Sequence, residues 1–145
     1  RLATYRTTGL FKCAVFTTED IYNEFSGGMQ DVTAIRDFLQ SAFMQINSRP
    51  PLRYVLLFVD GSYDYKGDKE NLVPAYESKT GDSFNDIDSR ATDDFYGCVS
   101  GAGTDNIVDL AMGRLCARTA TEADQVISKI IAYETKSDPI GRDNG

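Results

Sequence analysis

This sequence predicts an α/β fold with a mainly parallel sheet flanked by helices on both faces, and three observations carry that prediction. Apolar stretches of strand length alternate with amphipathic stretches of helical period, the pattern of layered α/β proteins. The central strand candidate, Tyr54-Val-Leu-Leu-Phe-Val59, is apolar at every position instead of every second one, as expected where a parallel strand is covered on both faces. The length, 145 residues, suffices for one hydrophobic core and not for two.

Taken in order, Arg1-Leu-Ala-Thr-Tyr-Arg-Thr-Thr8 has the character of the back half of a helix stopped by Gly9, a start that reads as internal to a longer protein. Leu10 to Thr17 is a short run of apolar and β-forming residues and is predicted as a core strand. Cys13 falls within it and is expected to be buried and inert, because a free cysteine packs as a small hydrophobe. Thr18 to Phe25 follows as a short helix, capped by Thr17 or Thr18 and ended at Ser26-Gly-Gly28. The next helix is opened by Asp31 or Thr33. Its apolar residues Ile35, Phe38, Leu39, Ala42, Phe43 and Ile46 recur on one face, with Arg36, Asp37, Gln40, Ser41 and Gln45 opposite. Asn47-Ser-Arg-Pro-Pro51 ends it, since proline disfavours helical geometry in the residue before it.

Tyr54 to Val59 is the central strand, and the acidic turn Asp60-Gly-Ser-Tyr-Asp64 ends it. From Tyr65 to Arg90 the chain is polar and glycine-bearing, a long loop with a brief extended piece at Leu72-Val-Pro74. Phe95-Tyr96 and Ile107-Val-Asp-Leu-Ala-Met112 are predicted as two further strands, a hairpin about Ser100-Gly-Ala-Gly103. Thr119-Ala-Thr-Glu122 is a capping box, in which threonine and glutamate satisfy each other's free backbone donors. It opens a last helix with the stripe Ala123, Val126, Ile127, Ile130 and Ile131. The tail Asp138 to Gly145 has the Pro/Gly-rich polar composition of a linker, so residues 1–137 are expected to form one structural unit and 138–145 a connection onward.

Composition narrows the function. Acidic residues outnumber basic ones 22 to 15, and a net charge of −7 opposes a nucleic-acid partner, whose phosphates need clustered Lys and Arg. No run approaches the roughly eighteen apolar residues of a membrane-spanning helix. Histidine is absent, so Ser-His or Cys-His nucleophile activation cannot be completed inside this chain. Cys13, Cys98 and Cys116 are odd in number and widely spaced, with no Cys-x-x-Cys. As a nucleophile, Cys116 would need an activator the chain does not supply.

The candidate site residues lie beyond the carboxyl ends of the strands, where open α/β sheets gather their ligands. Asp60 and Asp64 leave the central strand four residues apart, and Asp93-Asp94 approach from their own loop. These four carboxylates suit a hard cation such as calcium, and a carboxylate pair also suits acid/base work. Acidic residues end strands for a plainer reason as well, since their side chains bond nearby backbone N–H groups in turns. The Asp-rich tract from Asp82 to Asp94 does not have the Asp-x-Asp-x-Asp-Gly calcium-loop spacing. Arg114 is placed to clamp a carboxylate, and its expected role is structural: an internal ion pair that holds an acidic loop down, ahead of binding a substrate group. The sets Ser26-Gly-Gly28 and Gly101-Ala-Gly103 lack the phosphate-binding fingerprints and read as turns, so no organic cofactor is expected.

Eight segments together resemble the gingipain family of cysteine peptidases: Glu19-Asp-Ile-Tyr-Asn-Glu-Phe-Ser26, Asp31-Val-Thr-Ala-Ile-Arg-Asp-Phe-Leu39, Leu52-Arg-Tyr-Val-Leu-Leu-Phe58, Asp60-Gly-Ser-Tyr-Asp64, Asn71-Leu-Val-Pro74, Ala91-Thr-Asp-Asp-Phe-Tyr-Gly97, Met112-Gly-Arg-Leu115 and Lys129-Ile-Ile-Ala-Tyr-Glu134. Within that family they are most similar to the signal-peptidase/sortase members of the type IX secretion system, the PorU type. The resemblance implies a caspase-like fold, here its amino-terminal subdomain without the first strand. It also implies that the catalytic histidine and cysteine lie in a following subdomain near a Gly-His-Gly segment that this sequence does not contain. Sortase members cleave carboxy-terminal sorting signals from secreted cargo at the bacterial outer-membrane surface and join the cargo to lipopolysaccharide. By resemblance, then, this chain is inert alone, partners with the following catalytic subdomain, and serves the peptide or protein substrate of the intact enzyme at the cell surface or outside the cell. The chain departs from the sortase pattern at Val59, where glycine is usual, and at Cys116, where proline is common. The alternative expectation is a stand-alone calcium- or partner-binding α/β module using the acidic edge.

Overall fold

The computed structural model describes residues 1–7, 11–45, 52–61, 73–79, 89–100 and 107–135. They belong to two compact units, Arg1–Val15 with Ala117–Gly145, and Phe16–Cys116. Gly9, Ile46, the Asn47–Pro51 stop, the Ser62–Asp64 part of the acidic turn, the Gly101–Gly103 turn and the 138–145 linker lie outside the described residues.

In the first unit, helix α1 (Leu2–Thr7) lies along helix α5 (Ala120–Thr135). Arg1 donates to the carboxylate of Asp124 at 3.3 Å and to the hydroxyl of Ser128 at 2.9 Å, and Arg6 pairs with Glu134 at 2.6 Å. Exposed ion pairs of this kind contribute only about 0–1 kcal/mol each, so they set alignment more than stability. The predicted stripe of α5 is its least exposed face, with Ile127 buried and Ala123, Val126, Ile130 and Ile131 half-buried. At its start the Thr119 hydroxyl accepts from the Glu122 N–H at 3.2 Å, whereas the Glu122 carboxylate accepts from the Arg118 N–H at 2.8 Å. The return bond therefore lands one residue earlier than in a reciprocal capping box, and still covers a free donor ahead of the helix.

The strand predicted from Leu10 to Thr17 is not formed over its described residues, 11–17, which are irregular and exposed. Phe11, Val15 and Phe16 face solvent, and Cys13 is exposed instead of buried. Apolar β-formers prompt such a prediction, but a strand exists through the ladder it makes with a neighbour. Among the described residues no neighbouring strand pairs with them.

The second unit begins with a helix pair. Helix α2 (Thr18–Phe25) is capped by Thr17, whose hydroxyl accepts from the Asp20 N–H at 3.2 Å. It ends where Gly27 and Gly28 turn the chain at φ of 62° and 85°, a conformation side chains resist, with the Gly28 N–H returned to the Tyr22 carbonyl at 2.8 Å. Helix α3 (Val32–Met44) is capped by Asp31, which accepts from the Thr33 N–H at 2.8 Å. Ile21 and Tyr22 of α2 join Ala34, Ile35 and Leu39 of α3 in one buried cluster with Leu57, Val73, Tyr96, Val99 and Leu110.

Strand β1 (Tyr54–Phe58) carries that cluster's Leu57. The strand is apolar throughout while its burial alternates: Val55 and Leu57 turn inward, and Tyr54, Leu56 and Phe58 are exposed. The stretch expected to be a polar loop instead contains strands β2 (Tyr76–Lys79) and β3 (Ser89–Thr92), antiparallel from Tyr76↔Thr92 to Lys79↔Ser89. Here the backbone ladder makes the sheet without an apolar alternation to announce it. Phe95-Tyr96, predicted as a strand, lies in the short helix α4 (Asp94–Gly97). The Thr92 hydroxyl accepts from the Asp94 N–H at 3.1 Å and so favours a helical start. Strand β4 (Ala111–Leu115) begins later than the predicted Ile107, and among the described residues it forms no hairpin. It pairs parallel to β1, from Tyr54↔Ala111 to Phe58↔Leu115. The predicted α/β class holds, as a mixed fold in which the described residues form one parallel strand pair, β1 with β4, and one antiparallel pair, β2 with β3. No helix among the described residues is long and apolar enough to cross a membrane.

Candidate functional site

The carboxyl ends of β1 and β4 are adjacent because the two strands are parallel and in register, so Val59, Asp60 and Gly61 leave the sheet beside Arg114 and Leu115. Arg114 is the organising group of that edge. Its Nε donates to Asp93 Oδ2 at 2.8 Å and its Nη2 to Asp93 Oδ1 at 2.6 Å, a two-pronged match of guanidinium to carboxylate. Its Nη1 donates to the carbonyls of Val73 at 2.8 Å and Val59 at 3.3 Å. One side chain thus ties the end of β1, the Val73-Pro74 segment and the start of α4 to β4.

Both partners are largely withdrawn from water, with side-chain exposures of 12% for Arg114 and 24% for Asp93. The guanidinium is held above its ordinary pKa, first by the hydrogen bonds to Asp93; burial opposes this, and the charge of Asp93 adds to it. Gly61 belongs to the same contact: a Cβ there would stand 3.2 Å from Arg114 Nη1 and 3.5 Å from the Val73 carbonyl, so a side chain would press on the clamp. Asp93 sits at the N-cap of α4 but makes no capping bond with its side chain, because its carboxylate is turned to Arg114.

Tyr96 is a second tie across the same edge. Its ring is fully buried and its hydroxyl donates to the Pro74 carbonyl. Burial pushes this phenol well above its usual range, with the nearby phenol of Tyr22 adding to the effect and Arg114 partly opposing it. Next to it the ring of Phe95 stacks on Tyr76 at 4.0 Å and carries the Arg36 guanidinium 5.2 Å from its centroid, so α3, α4 and the β2–β3 hairpin share one aromatic contact. Beyond α4, Arg36 and Gln40 of α3 donate to the carbonyls of Cys98 and Val99 at 2.9 and 3.0 Å. The Asp109 carboxylate accepts from the N–H groups of Val99 and Ser100 at 2.9 and 2.7 Å and from the Ser100 hydroxyl at 2.6 Å. The Ser100 hydroxyl bond, followed by its N–H, holds Asp109 below the usual carboxylate range.

The four acidic candidates are therefore placed unequally. Asp60 ends β1, half-buried; Asp93 is gripped by Arg114; Asp94 is exposed in the first turn of α4; Asp64 lies outside the described residues. Both oxygens of Asp93 are directed at a guanidinium, which a bound cation would have to displace or face at close range. Among the described residues no group of three or more Cys, Asp or Glu converges as metal ligands. Cys98 donates its thiol to the Asp94 carbonyl at 3.3 Å, and Cys13 and Cys116 are exposed. With no imidazole in the chain, none of the three has a Cys-His partner here.

Tyr96 and Asp109 escape a reading of sequence alone. Asp109 does leave a trace, as the one charged residue inside the apolar run Ile107–Met112. For Tyr96 the trace is Thr92-Asp-Asp94, a helix-start signature just ahead of it.

A parallel strand pair packed with helices, its carboxyl edge tied by an arginine clamp, makes this a mixed α/β subdomain and not a helical or all-β module. The model of Peptidase family C25 matches residues 1–144, and the chain belongs to that family, the gingipain family of cysteine peptidases. No curated protein and no solved structure gives a significant match.

Proposed function

We propose that this chain is the non-catalytic, amino-terminal subdomain of a gingipain-like cysteine peptidase of the sortase type, spanning residues 1–137 with 138–145 as the connection to the catalytic subdomain. The observation that carries the reading is a chain of a cysteine-peptidase family that contains no histidine. A thiol is a poor nucleophile at neutral pH without a base or an electropositive site to ionise it. Imidazole for that work must come from outside these residues. What the chain offers is support: Arg114 and Tyr96 fix the carboxyl edge of the parallel strands, where neighbouring catalytic groups in an α/β protein need a rigid base.

A resemblance to sortase members in segments such as Asp60-Gly-Ser-Tyr-Asp64 and Ala91-Thr-Asp-Asp-Phe-Tyr-Gly97 favours carboxy-terminal sorting signals of secreted cargo as the substrate of the intact enzyme. The same similarity favours the bacterial outer-membrane surface or the extracellular space as its location. The test compares two proteins on one cargo. The intact protein carrying these residues releases the sorting signal, and the 145-residue chain alone does not. Cleavage by the chain alone would overturn the non-catalytic role. Failure of the intact protein on sorting-signal cargo, together with cleavage of other peptides, would overturn the sortase assignment and leave the peptidase family standing.

A further inference from the structure

We draw no further inference here: the strongest candidate, the exposed apolar face of the parallel sheet formed by Tyr54, Leu56 and Phe58, carries nothing because nothing in the structure shows what covers it.

Discussion

Replacing Arg114 with methionine keeps much of the apolar stem and deletes the guanidinium, so it isolates the clamp from the packing. The change removes two hydrogen bonds to the Asp93 carboxylate and two to the carbonyls of Val59 and Val73. Stranding one member of a buried ion pair costs about 3–5 kcal/mol, and an exposed pair contributes about 0–1 kcal/mol. At 12% and 24% side-chain exposure the pair lies nearer the buried limit, with water able to reach part of Asp93. The expected loss is therefore about 2–4 kcal/mol. Arg114→Lys keeps the charge but not the fork, and should lose about 1–2 kcal/mol, because an ammonium cannot serve the carboxylate and both carbonyls together. Urea unfolding followed by circular dichroism measures this, since the chain has no tryptophan to report it. A cycle with Asp93→Asn should return a coupling of about 1–3 kcal/mol that persists in high salt, since withdrawn pairs are screened less than exposed ones. A loss below about 0.5 kcal/mol for Arg114→Met, or a coupling near zero, would refute the clamp as a source of stability.

Three further expectations follow from neighbouring contacts. Gly97→Ala should destabilise by about 1–3 kcal/mol. Its Cβ would lie 2.9 Å from Val108 Cγ1, 3.0 Å from Met112 Cγ and 3.1 Å from the Leu110 carbonyl, and the last of these is backbone that cannot swing aside; unchanged urea midpoints would contradict this. On the alkaline side, burial first and the charge of Asp31 second push Tyr22 up to about 12. A phenol with a raised folded pKa costs nothing below the unfolded value of about 10, and stability is lost as pH rises from there through the folded value. Tyr22→Phe should flatten that decline, and tyrosinate absorbance appearing in step with the exposed tyrosines would count against it. On the acid side, Asp109 is held low by Ser100, so its contribution is present above the ordinary carboxylate value of about 3.9 and is lost as pH falls through the lower folded value. Asp109→Asn should speed hydrogen exchange at the Val99 and Ser100 amides at neutral pH, and unaltered rates would exclude the carboxylate as their anchor.

Much of this fold is legible where a feature is decided within a few residues. Thr17 and Asp31 cap their helices because a short side-chain oxygen reaches an amide two or three positions on. The stripe of α3 is readable because helical period alone gathers Ile35 and Leu39 on one side. Errors begin where pairing decides. Residues 11–17 look more like a strand than residues 76–79 do, yet the second set forms a ladder with Ser89–Thr92 and the first forms none among the described residues. Side-chain character ranks candidates for strands, but the partner's backbone selects among them, and that partner lies at no fixed distance along the chain.

The candidate site shows the same division with larger consequences. Asp60, Asp93 and Asp94 are conspicuous as an acidic edge, and composition treats them as equivalent. Geometry separates them, because Arg114, twenty-one residues from Asp93, spends its fork on that carboxylate and its remaining donor on carbonyls from two other segments. Carbonyl acceptors carry no mark in a sequence, since every residue has one. An arginine that closes three segments at once is thus visible beforehand only as a charge near other charges. The clamp bears directly on the proposed role. A subdomain that performs the chemistry needs its polar groups free for substrate, whereas one that braces a neighbour can turn them on its own backbone. Arg114 is turned on Asp93 and two carbonyls, Tyr96 on the Pro74 carbonyl, and Asp109 on the Val99 and Ser100 amides and the Ser100 hydroxyl. With Arg114 as a support, Arg114→Met in the intact peptidase should lower activity in proportion to the fraction of misfolded subdomain and leave KM for cargo unchanged. A large rise in KM with normal folding would instead make Arg114 a substrate-binding residue.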